Sequence, residues 1–175
     1  MAYRYRPAAR VLHWLTAAAV LAQFFFGIWI TQFEPKDEPT KFLLYDIHEN
    51  IGFSLLPIML LRLATRLANP PAHLPAGTPR FIRFAARANH AGLYLLLIYM
   101  PIMGFLATNA WGFPFVWLKL VSIPSPIGSN EALAPSLSYA HWLGAIALGL
   151  AILAHLGGAL YHALIRRDGV LQRML

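Results

Sequence analysis

The chain contains no cysteine. That absence excludes disulfides, iron–sulfur clusters and the Cys-x-x-Cys-His attachment of a c-type heme. Charge is also scarce: Asp, Glu, Lys and Arg make up 12% of the 175 residues, about half the share of a soluble domain. Residues 11–33, 88–108 and 137–165 carry no charge at all, and residues 42–61 carry only Asp46 and Glu49, both near the start. No low-complexity segment or internal repeat stands out. The tight H-x-x-H-H clusters of membrane hydroxylases and desaturases are missing. No acid–base pair shares an apolar stretch with a credible nucleophile, which excludes a hydrolase.

What is present is apolar. Hydrophobic residues account for 58% of the chain, and mean hydropathy is +0.55. Each uncharged stretch has the roughly 20 residues that a helix needs to cross about 30 Å of hydrocarbon. The expected fold class is therefore all-α, an integral membrane four-helix bundle forming one domain over 1–175. The expected spans are about 8–32, 41–67, 84–109 and 138–167. The first stretch is too long for a signal-peptide core, and no small-residue cleavage site follows it, so it reads as a retained span. Pro101 predicts a kink in the third span. The Pro- and Gly-rich segment 69–80 reads as a connection. Trp111, Phe113, Phe115 and Trp117 open the longest loop, 110–136, as an expected interfacial aromatic belt.

The excess of positive charge is a topology signal rather than a nucleic-acid footprint. All 11 arginines fall before span one, around the connection of spans two and three, or after span four. Less Asp168, these segments sum to +10. The opposite segments set Lys36, Lys41 and Lys119 against Glu34, Asp37, Glu38, Asp46, Glu49 and Glu131, which leaves −3. The positive-inside rule then places both termini in the cytoplasm.

Six of the seven histidines fall within the expected spans. An intramembrane ionisable residue is costly and invites a functional reading. His141 and His155 are 14 residues apart on one helix, so they share a face to within about 40° and lie about 21 Å apart along the axis. His13 enters span one at its cytoplasmic end, and His48 enters span two at its outer end. The depths pair His13 with His155 and His48 with His141. Two such pairs suit two bis-histidine hemes, held non-covalently because cysteine is absent. Iron with two histidine ligands has no open axial position and passes electrons rather than activating oxygen.

The offset of 14 recurs: Gly27 follows His13, Arg62 follows His48 and Gly104 follows His90. Gly52 and Gly144 follow His48 and His141 more closely. These glycines either leave flat space for a porphyrin or serve ordinary helix packing. Arg62 calls for an anion, such as a heme propionate or a quinone oxygen, or else it snorkels. His162 follows His155 on the same face and can serve a quinone near the inner pair. His90 suits the inner heme or a quinone pocket. His73, in the cytoplasmic connection, reads as solvated. No catalytic residue is assigned.

Arg10-Val-Leu-His13-Trp14, Ile47-His48-Glu-Asn-Ile-Gly52, Ala140-His141-Trp with His155, and the closing Arg-Arg-Asp-Gly resemble the prokaryotic cytochrome b561 family. The resemblance covers essentially the whole chain. It implies a four-helix bundle with two non-covalent b-type hemes whose iron is ligated by the residues matching His13, His48, His141 and His155. It also implies electron exchange with membrane quinone on the cytoplasmic side of a bacterial inner (plasma) membrane, where His162 matches a residue of the quinone pocket. Members similar to superoxide oxidases oxidise external superoxide and reduce ubiquinone; others accept electrons from a periplasmic redox protein. The expected partners are thus lipid, quinone and an outer donor, and not nucleic acid. An anionic donor is steered by positive potential, so superoxide requires Lys36, Lys41 and Lys119 to gather over the outer site. The rival readings are a cytochrome b subunit of a larger respiratory oxidoreductase and a heme-free membrane protein.

Overall fold

The computed structural model describes residues 4–33, 35–70, 72–75 and 77–175; Glu34, counted with the outer charges, lies outside them. Four helices dominate. They are α1 (Pro7–Ile28), continued by a π-helical turn Trp29–Phe33, α2 (Glu38–Ala68), α3 (Arg80–Ala110) and α4 (Ala134–Leu160), continued by a π-helical turn Tyr161–Arg166. All four are long and apolar enough to cross a membrane. Proline occupies the first turn of α1, α2 and α4, where its missing N–H would have no helical partner anyway. Asp37 caps α2 by accepting the Thr40 N–H at 3.0 Å, and that bond holds its carboxyl below the usual carboxylate range. α3 stays helical through Pro101, and α2 through Pro57.

The helices pack in chain order, α1 on α2, α2 on α3 and α3 on α4. Their inner faces repeat every seven residues and build three layers of four. At one end stand Gly27, His48, Gly104 and His141. Val20, Leu55, Leu97 and Leu148 fill the middle and are all buried. At the end that carries the termini stand His13, Arg62, His90 and His155. A spacing of seven is about 10.5 Å of helix, so an apolar plug separates two polar layers. Outward-facing Leu21, Leu95, Leu150 and Leu153 are exposed, as lipid contact requires.

Two segments have structure that the sequence reading treated as loop or tail. Phe115–Trp117 and Val121–Ile123 form an antiparallel hairpin, with Phe115 opposite Ile123. Its turn puts Leu118 and Lys119 at φ 53° and 59° and is closed by the Leu120 N–H on the Trp117 carbonyl at 3.0 Å. The hairpin docks on α2: the Trp117 indole N–H donates to Ser54 Oγ at 2.9 Å, and the Leu118 N–H donates to Asn50 Oδ1. The aromatic belt is therefore half inward. Trp111 and Phe113 are exposed, but Phe115 is buried and, like Trp117, packs on Phe53. At the other end the C-terminal tail folds under α1. The Tyr5 N–H bonds the Arg173 carbonyl, and the Trp14 indole bonds the Met174 carbonyl, both at 3.0 Å.

Candidate functional site

The two polar layers bring the four singled-out histidines together as pairs. His48 and His141 have ring centroids 6.3 Å apart, and His13 and His155 have theirs 6.1 Å apart. Two imidazoles bound to opposite sides of one metal ion put their centroids about 6 Å apart, from metal–nitrogen bonds of about 2 Å and the inset of each nitrogen from its ring centre. Both pairs match that spacing. α4 makes little close backbone contact with α1 or α2 and meets them through side chains, the two histidine pairs at the ends and the apolar layer between them.

The His48–His141 pair is held from behind. His141 Nδ1 lies 3.1 Å from the Met100 carbonyl; donation there fixes the tautomer and leaves the Nε2 lone pair free for a metal. A Cβ at Gly104 would come within 3.1 Å of the His141 ring, and one at Gly27 within 3.4 Å of the His48 ring. These glycines make room for the imidazoles. Gly52 and Gly144 face Gln23 and the Tyr99–Met100 pair. His48 Nδ1 is buried with no hydrogen-bond partner, an orphan that calls for a group outside the chain. Gln23 anchors this turn by donating to the His48 carbonyl at 2.9 Å.

The layer nearer the termini is more crowded. Arg62 Nη2 lies 3.3 Å from His13 Nδ1. A guanidinium can only donate, so in this arrangement His13 Nδ1 accepts and Nε2 carries the proton. His13 can present an Nε2 lone pair only once Arg62 turns to another acceptor. His90 stands 5.4 Å from His155, edge to face, leaving less room between rings than His13 does. His162 is buried, and its Nδ1 lies 2.7 Å from Asp168 Oδ2, which also accepts Arg166 Nε at 2.9 Å. Burial pushes the Asp168 carboxyl up, but the bonds from His162 and Arg166 outweigh it, and its pKa is lowered. Lys119 pairs with Asp46 at 3.5 Å instead of standing free. His73, read as solvated, is exposed, and its carbonyl receives Arg173.

The donor set fits a non-covalent heme. The described residues hold no group of three or more His, Asp or Glu able to bind a bare metal ion, while two imidazole pairs face gaps of the right width. Sequence reasoning missed Asp168, Gln23 and the Met100 carbonyl as supports. Asp168 was visible only inside the Arg-Arg-Asp-Gly ending, and a carbonyl leaves no trace in composition.

A family model described as prokaryotic cytochrome b561 matches residues 4–175. The chain is similar to cytochrome b561 homolog 2 of Escherichia coli (strain K12), at 32% identity over 98% of this chain and 91% of that protein. It is also similar to cytochrome b561 homolog 1 of the same organism, at 25% identity over 98% and 97%.

Proposed function

The chain belongs to the prokaryotic cytochrome b561 family, and from that premise we propose that it carries electrons from a periplasmic donor, preferably superoxide, to ubiquinone on the cytoplasmic side. The observation that carries this reading is the meeting of His13 with His155 and of His48 with His141, at 6.1 and 6.3 Å, at opposite ends of one bundle. His13 and His155 would hold one b-type heme, and His48 and His141 a second. When bound, these groups would supply two one-electron carriers.

The chain's own residues do the rest. Met100 orients His141 through its carbonyl. Arg62 turns from His13 to a propionate or a quinone oxygen, which frees His13 as a ligand. His162, tethered to Asp168, supplies a proton to reduced quinone, and His90 lines the approach to His155. The termini and the +10 arginine-rich segments then lie in the cytoplasm of a bacterial cell, as the positive-inside rule requires. The balance is simple: two superoxide anions give up one electron each and leave as dioxygen, and ubiquinone takes two electrons and two protons.

A second reading, an electron-transfer subunit with a protein donor, is favoured by the −3 outer charge and by the Lys119–Asp46 pair, which neutralises one of three outer lysines. A superoxide pulse in stopped flow on the purified protein separates the two. Fast heme reduction that drains into added ubiquinone supports the first reading; heme that stays oxidised supports a protein donor. A preparation without b-type heme would sink both.

A further inference from the structure

A cavity of about 500 Å³ opens between α2 and α3 near the end that carries the termini. Its polar lining residues are Arg66, Arg87, His90 and Tyr94, and Leu63, Leu95 and Ile98 are among its apolar ones. The Arg66 and Arg62 guanidiniums both sit over the Tyr94 ring, at 5.5 and 5.7 Å. Two like charges on one ring repel, and none of the ion pairs among the described residues involves Arg62, Arg66 or Arg87. The lining contains no acid. Among the described residues, the groove therefore carries cationic charge without an acidic counter-ion.

Depth says what kind of anion fits. α2 and α3 each have 31 residues, about 46 Å, so each overhangs the ~30 Å hydrocarbon core by about 8 Å at either end. Arg66 lies two residues from the end of α2, and Arg87 lies about 10 Å from the start of α3. Arg66 thus stands at headgroup level, and Arg87, about 2 Å inside the hydrocarbon boundary, is within reach of it, as a long arginine side chain near a helix end allows. Tyr94 and Leu95, a further turn or two along α3, reach acyl-chain level. A groove that is cationic at the headgroups and apolar below them has the profile of one phospholipid, and basic clefts between membrane helices at this level suit anionic lipids.

We propose that the α2–α3 groove binds one anionic phospholipid, its phosphate held by Arg66 and Arg87 and an acyl chain laid along Leu63, Leu95 and Ile98. The groove borders the His13–His155 pair through His90, which lines it and stands 5.4 Å from His155, but lipid binding does not depend on which donor reduces the protein.

The test is native mass spectrometry of the heme-loaded full chain in neutral detergent, titrated with phosphatidylglycerol, with phosphatidylcholine and with inorganic phosphate. One phosphatidylglycerol per chain is expected, retained at least tenfold more tightly than phosphatidylcholine and not displaced by millimolar phosphate. Arg66→Gln and Arg87→Gln should each weaken retention severalfold, while Arg83→Gln, at the same end but outside the lining, should not. Equal retention of the two lipids overturns the site using the wild-type chain alone, even if a variant fails to fold. Equal loss with Arg83→Gln reduces it to diffuse surface charge. Displacement by phosphate makes it a free-anion site, and displacement by ubiquinone, mole for mole, assigns the groove to the electron acceptor.

Discussion

A Cβ placed on Gly104 would stand 3.1 Å from Cε1 of His141, tight enough that the ring would have to give by a few tenths of an ångström. The ring cannot retreat freely, because its Nδ1 is tied to the Met100 carbonyl at 3.1 Å. Gly104→Ala should therefore displace His141 and lower outer heme occupancy, leaving the inner heme intact. Gly27→Ala, where the His48 ring is 3.4 Å away, should do the same more weakly. Heme content and the reduced α-band of the two variants check the order. Equal and undiminished outer bands in both would remove the role given to these glycines.

His155→Ala should abolish the inner spectral signature and spare the outer one, since His141 and His48 lie in the other polar layer. His90→Ala should keep both hemes. The competing assignment is concrete, because His90 approaches His155 more closely than His13 does. An inner heme that survives loss of His13 and vanishes with His90 would transfer the ligand role to α3.

Arg62→Gln should lower the midpoint potential of the inner heme. A nearby guanidinium favours the reduced, less positive state, and its removal costs on the order of 50 mV at an effective dielectric near 20. Redox titration of the variant reads the shift directly. An unchanged inner potential would place the guanidinium away from the heme.

The helices were legible because their signal is local, uncharged runs long enough to cross the bilayer, whereas the apolar layer of Val20, Leu55, Leu97 and Leu148 emerges only from the packing. The pairing of His13 with His155 and of His48 with His141 followed from depth alone. The hairpin at 115–123 was not legible, because its turn uses Leu118 and Lys119 where positive φ ordinarily calls for Asn or Gly, and what holds it is contact with Asn50 and Ser54 on a distant helix. The glycines were visible, but not their partners. A spacing of 14 along one helix says nothing about which ring on another helix will fill the space.

That turn carries its own prediction. A non-glycine residue in the left-handed region costs about 1 kcal/mol. Lys119→Gly removes that cost and gives up the ion pair with Asp46, whose partners are 77% and 38% exposed; such a pair contributes about 0–1 kcal/mol. The variant should be as stable as the parent or slightly more so in thermal unfolding. A marked loss would mean that the lysine supports the outer surface in some further way.

Asp168 lies beyond the last span, and its lowered pKa has a directional consequence. A carboxyl whose native pKa is depressed adds stability that is present above its unfolded value, here 3.8, and is lost as pH falls through the native value. The turn that carries His162, and the tail held by Trp14 and Tyr5, should therefore stay ordered at neutral pH and loosen only in acid. Asp168→Asn removes the charge that both His162 and Arg166 bond. In that variant the amides of 167–175 should exchange faster already at pH 7, with no further acid step in that segment. If Asp168 also positions His162 toward quinone, the variant should slow electron delivery to ubiquinone by up to about 10²-fold and leave heme reduction by the outer donor at its parental rate. Hydrogen exchange reports the first effect and stopped flow the second. Faster exchange with unaltered quinone reduction would confine Asp168 to holding the tail.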